Sequence, residues 1–288
     1  MTYEMGPHMK KAKLTVVVLF SFLLSACSST FVYNNIDWLL YWYVDDYIDL
    51  SSDQEAALDE RIASWQSWHR STELEKYQTQ LKTLRAQLKS GILNEEQWLS
   101  EFDEAQQHLS RFRTKIAPEL AGIAQKLSTE QVEGLLYSWH KKRQERQSEF
   151  EKRTELERLI RREKRLVETI EDNIGKLSEQ QIELIKQYVP MVLSITNEQT
   201  LYQTRLQNVL RGIFANRDNL DFKQQLIGLI SNPDQYKTAS YQARLDQNTH
   251  LYARMLAELN RTFTEKQKLK LDATLEDWIN LLEDLISD

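Results

Sequence analysis

The sequence contains few of the residues that end helices and form turns. It has 7 glycines and 4 prolines among 288 residues, far below the roughly 7% and 5% of average proteins. Sandwiches, barrels and alternating α/β folds need frequent turns, which depend on these two residue types. The shortage argues against those folds and predicts an all-α protein, an elongated bundle of long antiparallel helices.

Cysteine is also scarce, and the chain has no excess of positive charge. The single cysteine, Cys27, argues against a disulfide framework within the chain and against a multi-cysteine zinc site. The formal net charge is -6, whereas a general nucleic-acid-binding protein needs a basic excess to release counterions from phosphate. We therefore expect no nucleic-acid partner, no metal and no other cofactor.

The histidines and glycines do not form a familiar catalytic motif. His69, His108, His140 and His250 lie in separate predicted helices, and no HExxH pair occurs. The sequence also lacks a GxSxG turn, a Walker loop and a GxGxxG loop. We therefore expect no catalytic residues and a protein that is not an enzyme, with an unfamiliar type of catalysis as the third alternative.

The N-terminal region has the features of a secretory signal. A basic stretch at 9–13 precedes an apolar run from Leu14 to Leu24, which has the length of a signal-peptide core. The run is too short to span a bilayer, which takes about 20 residues. Residues 1–8 precede an ordinary Met-Lys-Lys start and are interpreted as a start-site artefact. The sequence thus predicts a signal peptide at 1–26.

The residues that follow the apolar run resemble a bacterial lipobox. Leu24-Ser25-Ala26 directly precede Cys27, and the resemblance implies cleavage before Cys27 and attachment of fatty-acyl chains, such as palmitate, to it. Ser28 rather than aspartate in the next position implies sorting to the outer membrane. A plain secretory signal with an incidental cysteine and a membrane-embedded anchor are the alternatives. We expect a periplasmic lipoprotein with a short tether at 27–34 and one helical domain at 35–288.

A dense mixture of aromatic and acidic residues follows the tether. This aromatic-acidic segment (residues 31–50) reads FVYNNIDWLLYWYVDDYIDL. One interpretation is a helix that packs on the bundle. The other is an interfacial aromatic belt beside the lipid anchor or a docking face for a partner protein, because Trp and Tyr favour places that are apolar on one side and wet on the other. The four aspartates of the segment argue against deep insertion among anionic lipids and favour the docking face. The candidate partner-binding residues are Trp38, Trp42, Tyr43, Asp45, Asp46 and Asp49.

Apolar spacing predicts a series of helices along the chain. Pro190 is expected to kink its helix, and breaks are expected near Pro118 and Gly122. The region from Lys141 to Glu171 is dense in mixed charge and has a thin apolar stripe, which predicts one long, partly projecting helix. The predicted helices are 35–48, 52–89, 94–125, 129–173, 178–215, 219–231, 234–261 and 264–286.

One short pattern recurs at four predicted helix starts. An apolar residue is followed by Ser or Thr and then, three residues later, by Gln. The hydroxyl can cap the helix while the Gln side chain reaches back to the capping residue, which is a capping box. The copies begin at Leu50, Leu127, Leu177 and Phe263, and Leu93 begins a looser fifth copy.

Two family resemblances follow from these features. The signal, the lipobox and the run from Asn34 to Gln54 resemble an uncharacterised family of Gram-negative lipoproteins that is catalogued as a domain of unknown function. The recurrent Leu-Ser/Thr-x-x-Gln pattern is similar to that of Spy/CpxP-type periplasmic proteins, which are all-helical and bind unfolded clients. The leading hypothesis is a lipid-anchored protein that acts by protein interaction in the cell envelope, without catalysis. The alternative is a Spy-like holdase chaperone or envelope-stress protein.

Overall fold

The computed structural model describes residues 33–36, 40–41 and 44–287, and in this part of the chain the secondary structure is helical, without strands. The predicted all-α bundle is confirmed. A single π-helical turn, His69–Glu73, joins the first two long helices. The helices are α1 (Ser52–Trp68), α2 (Leu74–Ser90), α3 (Glu95–Ala124), α4 (Thr129–Glu151), α5 (Glu155–Ile174), α6 (Glu179–Tyr188), α7 (Thr196–Ala215), α8 (Phe222–Ser231), α9 (Ala239–Arg261) and α10 (Glu265–Ser287).

The recurrent motif forms helix caps, as the sequence predicts. Ser51, Ser128 and Ser178 each accept from the backbone N–H three residues later, and the following Gln accepts from the cap's own N–H. Thr264 makes the same pair of bonds with Gln267. The looser copy also forms a capping box, with Asn94 as the cap of α3. Each box satisfies backbone donors that a helix start leaves without a partner.

The single projecting helix predicted at 129–173 is wrong. The helix ends at Glu151, and α5 begins after a new capping box in which Thr154 accepts from the N–H of Glu157 and the Glu157 side chain accepts from Thr154. The charged stretch therefore contains a Thr-x-x-Glu pattern, which is a signal for the start of a helix. The chain forms two helices in this region.

The predictions at two prolines need correction as well. The helix predicted to run through Pro190 with a kink ends at Tyr188, continues as the 3-10 turn Val189–Met191 and gives way to α7, because proline removes a helix donor and crowds the preceding turn. Pro118, by contrast, lies within unbroken α3. The neighbouring Ala117 and Ala121 are fully buried, so packing offsets the missing hydrogen bond.

Helix α3 lies at the centre of the packing. It contacts α1, α2, α8 and α9, while α10 packs along α2 and α5. The α2–α10 pair is antiparallel and is joined by a bidentate ion pair, in which Arg85 Nε and Nη2 lie 2.6 and 3.0 Å from the Asp272 carboxylate oxygens. Within the described residues, no helix is long and apolar enough to cross a membrane.

Candidate functional site

The aromatic-acidic segment is held to the bundle at its N-terminal end. The Tyr33 hydroxyl lies 3.1 Å from His69 Nδ1, and Gln66 Nε2 donates to the Tyr33 carbonyl over 2.7 Å. Arg70 Nη2 donates to Asn34 Oδ1 over 2.8 Å. These contacts fix the start of the segment at the junction between α1 and α2.

The C-terminal end of the segment is held by α4. Asp46 forms an ion pair with Lys142, whose Nζ also lies 4.4 Å from the centre of the Tyr47 ring. Gln131 Nε2 donates to the Asp49 carbonyl over 2.7 Å. Between the two ends, apolar side chains of the segment pack against the buried residues of α1. The segment is therefore clamped to the bundle on both sides.

The structure places only some of the predicted partner-binding residues. Cys27 and, in the segment, Trp38, Trp42 and Tyr43 lie outside the described residues. Among the described ones, Asp45 and Asp49 have exposed side chains, and Asp46 is exposed but paired with Lys142. We therefore consider Asp45 and Asp49 the best-defined outward carboxylates of the segment.

A buried polar network lies directly beside the clamped segment. Its centre is Glu73, which is 0% exposed and ends the π-helical turn. The Leu74 N–H donates to the His69 carbonyl five residues back, which is the π-type bond. Such single turns inside long helices often mark functional positions. Here the turn brings His69 and Glu73 to face α3.

The carboxylate of Glu73 is neutralised by two cations. Arg111 Nε lies 3.2 and 3.0 Å from its two oxygens, and Lys76 Nζ lies 2.6 Å from Oε1. Burial raises the pKa of Glu73, but the hydrogen bonds and charges of Lys76 and Arg111 outweigh it and leave the pKa lowered. Glu73 is therefore ionised, which is tolerable in a buried site because its charge is paired.

The network continues from Arg111 through a neutral histidine. Arg111 Nη2 bonds His108 Nδ1, and His108 Nε2 lies 2.9 Å from Gln80 Oε1. The Gln80 amide in turn donates to the carbonyl and carboxylate of Glu101 over 3.0 and 2.9 Å. Burial and the Arg111 charge lower the pKa of His108 to about 4, so the ring accepts at Nδ1 and donates from Nε2.

A second histidine joins this network to the aromatic-acidic segment. His69 Nε2 lies 3.1 Å from the Tyr77 hydroxyl, while its Nδ1 faces Tyr33. The Tyr77 ring packs edge-on against His108, with ring centres 4.3 Å apart. Burial lowers the pKa of His69, and burial together with the Glu73 charge raises that of Tyr77 to about 12. All of these rings are therefore uncharged near neutral pH.

The polar groups of this network bond to one another across the π-helical turn, α2 and α3. A cleft of about 440 Å³ opens beside it and includes Lys76 and Arg111 in its wall, but Glu73 lies behind them with both oxygens occupied. Within the described part of the chain, no group of three or more potential metal ligands is found.

Sequence reasoning missed this network. Histidines in separate predicted helices gave no reason to join His69 and His108. The spacing of His69, Glu73 and Tyr77 at four-residue intervals is a signal that could have been used, because such spacing keeps side chains on one helix face. The facing residues on α3, which complete the network, have no sequence signature of their own.

Residues 46–242 match a family of unknown function, DUF6279. No curated protein and no solved structure matches the chain. The matched region covers more than half of the chain and includes the end of the aromatic-acidic segment and the buried polar network. The chain therefore belongs to the DUF6279 family.

Proposed function

We propose that the chain is a lipid-anchored, non-catalytic protein on the periplasmic face of the outer membrane, where it binds another envelope protein. The lipid is carried by Cys27, and the partner binds the aromatic-acidic segment. The anchor follows from the basic stretch, the apolar run and the lipobox-like Leu24-Ser25-Ala26 before Cys27.

One observation carries the partner-binding part of the proposal. The aromatic-acidic segment is clamped at both ends, through His69 and through Lys142, while the carboxylates of Asp45 and Asp49 are exposed. A clamped segment loses little conformational freedom when a partner binds, which lowers the cost of association. The segment also begins only a few residues after Cys27, so it presents these carboxylates close to the membrane.

The interior supports a role without catalysis. The buried ionisable groups of the network, Glu73 and His108, bond to other side chains of the chain. A general acid or base needs a proton-transfer group that can reach a substrate. The network instead fixes the junction of α1, α2 and α3 against the segment.

A Spy-like holdase is the alternative proposal. Several large apolar side chains are exposed, among them Tyr137 at 67%, Leu156 at 65% and Leu201 at 66%, and exposed apolar surface is what an unfolded client would bind. Against it stands the use of the motif glutamines within the fold, since Gln181 and Gln267 are only 1% and 5% exposed.

The proposal is tested by crosslinking in intact cells. The variant that combines Asp45→Asn with Asp49→Asn should lose one defined crosslinked adduct that the wild type forms, while its melting temperature stays unchanged. The matched control combines Asp277→Asn with Asp284→Asn, which removes two exposed aspartates from α10 and should keep the adduct.

The outcomes separate the three hypotheses. Retention of the adduct by the Asp45 and Asp49 variant would overturn the docking face. Suppression of the aggregation of an unrelated unfolded protein, at stoichiometric ratio and without nucleotide, would favour the holdase. Turnover of a small molecule by the purified protein would favour an enzyme.

A further inference from the structure

Positive charge is concentrated where α4 ends and α5 begins. Residues 141–165 contain eleven Lys or Arg and six Asp or Glu, a net charge of +5 in a chain of net charge -6. The remainder of the chain therefore carries -11. Such a separation creates a local field that attracts anions although the protein as a whole is acidic.

Two large apolar side chains lie exposed among these charges. Leu156 is 65% exposed and Ile160 is 54% exposed, although both belong to a helix that buries Leu166. Leu156, Ile160 and Lys164 follow one another at four-residue spacing, so they lie in a row on α5. All three side chains of the row are exposed.

The cations beside this row are available at the surface. Arg161, Lys164 and Arg165 are exposed. Lys164 forms an ion pair with Glu168 at 3.6 Å, and the two side chains are 73% and 60% exposed. An exposed ion pair of this kind contributes little to the stability of the protein. We call Leu156, Ile160, Arg161, Lys164 and Arg165 the α5 surface.

Other arginines of the region have structural roles instead. Arg162 Nη1 donates to the carbonyls of Val189 and Val192 over 3.0 and 3.1 Å, and the Arg158 guanidinium lies 4.5 Å from the centre of the Phe150 ring. These contacts hold α5 against the 3-10 turn and the end of α4. The α5 surface is therefore carried on a fixed helix.

We propose that the α5 surface docks on a membrane rich in anionic lipid headgroups, as a second attachment besides the lipid anchor. Lysine and arginine pair with the phosphates of the headgroups, and Leu156 and Ile160 enter the border between headgroups and acyl chains. Apolar side chains set beside a row of cations are the composition of helices that lie on membranes. This inference rests on the proposed membrane location of the chain.

The test uses the full chain with Cys27→Ser, so that no lipid contributes to binding. Sedimentation measures its affinity for vesicles of phosphatidylglycerol and phosphatidylcholine and for vesicles of phosphatidylcholine alone. We expect stronger binding to the anionic vesicles than to the neutral ones, and the difference should shrink as salt is added. Arg161→Gln combined with Lys164→Gln should weaken it about 25-fold, since each cation near an anionic surface contributes about fivefold.

Two further variants define the surface. Leu156→Gln combined with Ile160→Gln should also weaken binding to the anionic vesicles. The matched control, Arg211→Gln with Lys223→Gln, removes one exposed Arg and one exposed Lys from α7 and α8 and should leave the affinity unchanged. The signal segment is the same in every variant, so the differences between variants report on α5.

Three results would overturn the inference. The first is a loss of affinity in the α7–α8 control as large as that in the α5 variants. The second is equal binding to anionic and to neutral vesicles. The third is preferential binding to soluble poly-L-glutamate, which would point to an acidic protein partner. Because the tested chain has no lipid, failure here would leave the lipid on Cys27 standing. Absence of that lipid in cells would likewise leave the vesicle result standing.

Discussion

The side-chain amides of Gln181 and Gln267 donate to each other, over 3.0 and 2.9 Å. Each also accepts from the N–H of its own helix cap, Ser178 or Thr264. In addition, each donates to a backbone carbonyl two residues before the other's cap, at Thr262 and Lys176. The starts of α6 and α10 are thus joined by a closed set of hydrogen bonds.

The same arrangement occurs a second time in the fold. The amides of Gln54 and Gln131 donate to each other over 3.0 and 2.7 Å. Their remaining bonds go to the carbonyls of Lys126 and Asp49, again two residues before the partner's cap. The four good copies of the motif therefore form two pairs, and each pair docks one helix start on another.

The pairing predicts that replacing a motif glutamine lowers the free energy of unfolding more than replacing an ordinary capping glutamine does. Gln181→Ala should lower the free energy of unfolding by about 1–3 kcal/mol, because the buried Gln267 side chain loses both of its hydrogen bonds to Gln181. Gln97→Ala is the control, since among the described residues the hydrogen bonds of the Gln97 side chain are those of the local box with Asn94, and it should cost less. Chemical denaturation of the two variants measures the difference.

A double-mutant cycle tests the same pairing directly. Gln181→Ala and Gln267→Ala should be non-additive, with a coupling of about 0.5–3 kcal/mol, as expected for groups in one network. Additive losses would mean that the two amides do not stabilise each other.

The cap hydroxyls should matter for stability alone. Ser128→Ala or Ser178→Ala should destabilise the protein by about 0.5–2 kcal/mol, because each removes an acceptor for a first-turn N–H. Binding of a client or partner by the folded variant should be unchanged. Lost binding at unchanged stability would instead make the motif a recognition element.

These motifs show how far the sequence predicts the fold. The capping boxes are local, so Ser51, Ser128, Ser178 and Thr264 could be recognised as helix starts from spacing alone. The pairing of Gln54 with Gln131 joins residues 77 positions apart, and no local pattern states which helix start meets which. The helix break at Thr154 was not predicted for another reason. Its Thr-x-x-Glu capping box lies within a dense run of charged residues and was not recognised there.

The neutral histidine of the buried network predicts a pH dependence. The pKa of His108 is lowered from 6.5 to about 4, so between these values the unfolded chain takes up a proton that the folded protein does not. Stability should therefore fall as the pH is lowered through this window, by up to about 3 kcal/mol. Denaturation at a series of pH values measures the slope.

The His108→Gln variant serves as the comparison for this slope. Glutamine cannot take up the proton, so the slope of the variant between pH 6.5 and about 4 should be shallower than that of the wild type, and the lowered pKa of His69 accounts for part of the slope that remains. A slope as steep as that of the wild type would show that other groups cause it.

The buried charge of Glu73 predicts that one substitution partly restores the stability lost through another. Arg111→Met should cost about 3 kcal/mol, because it leaves a fully buried carboxylate with only Lys76 as its cation. Adding Glu73→Gln should recover part of this loss, since the uncompensated charge is then gone. Thermal or chemical denaturation measures the stability of the single and the double variant. A double variant less stable than Arg111→Met would contradict the prediction.

The candidate site was only partly predictable from the sequence. Its composition singled out the aromatic-acidic segment, but the residues that hold it, His69, Arg70 and Lys142, lie far along the chain in helices of ordinary composition. The π-helical turn places Glu73 against Arg111 of another helix. Long-range electrostatic pairs of this kind leave no spacing pattern to recognise.

The lipid on Cys27 is the central claim, since the location and the presentation of the aromatic-acidic segment depend on it. Mass spectrometry of the protein extracted from membranes tests it most directly. We expect a chain that begins at Cys27 and carries the mass of diacylglycerol and an amide-linked acyl chain, and Cys27→Ser should be released from membranes or left unprocessed. A wild-type protein found in the soluble periplasmic extract with an unmodified Cys27 would contradict the account.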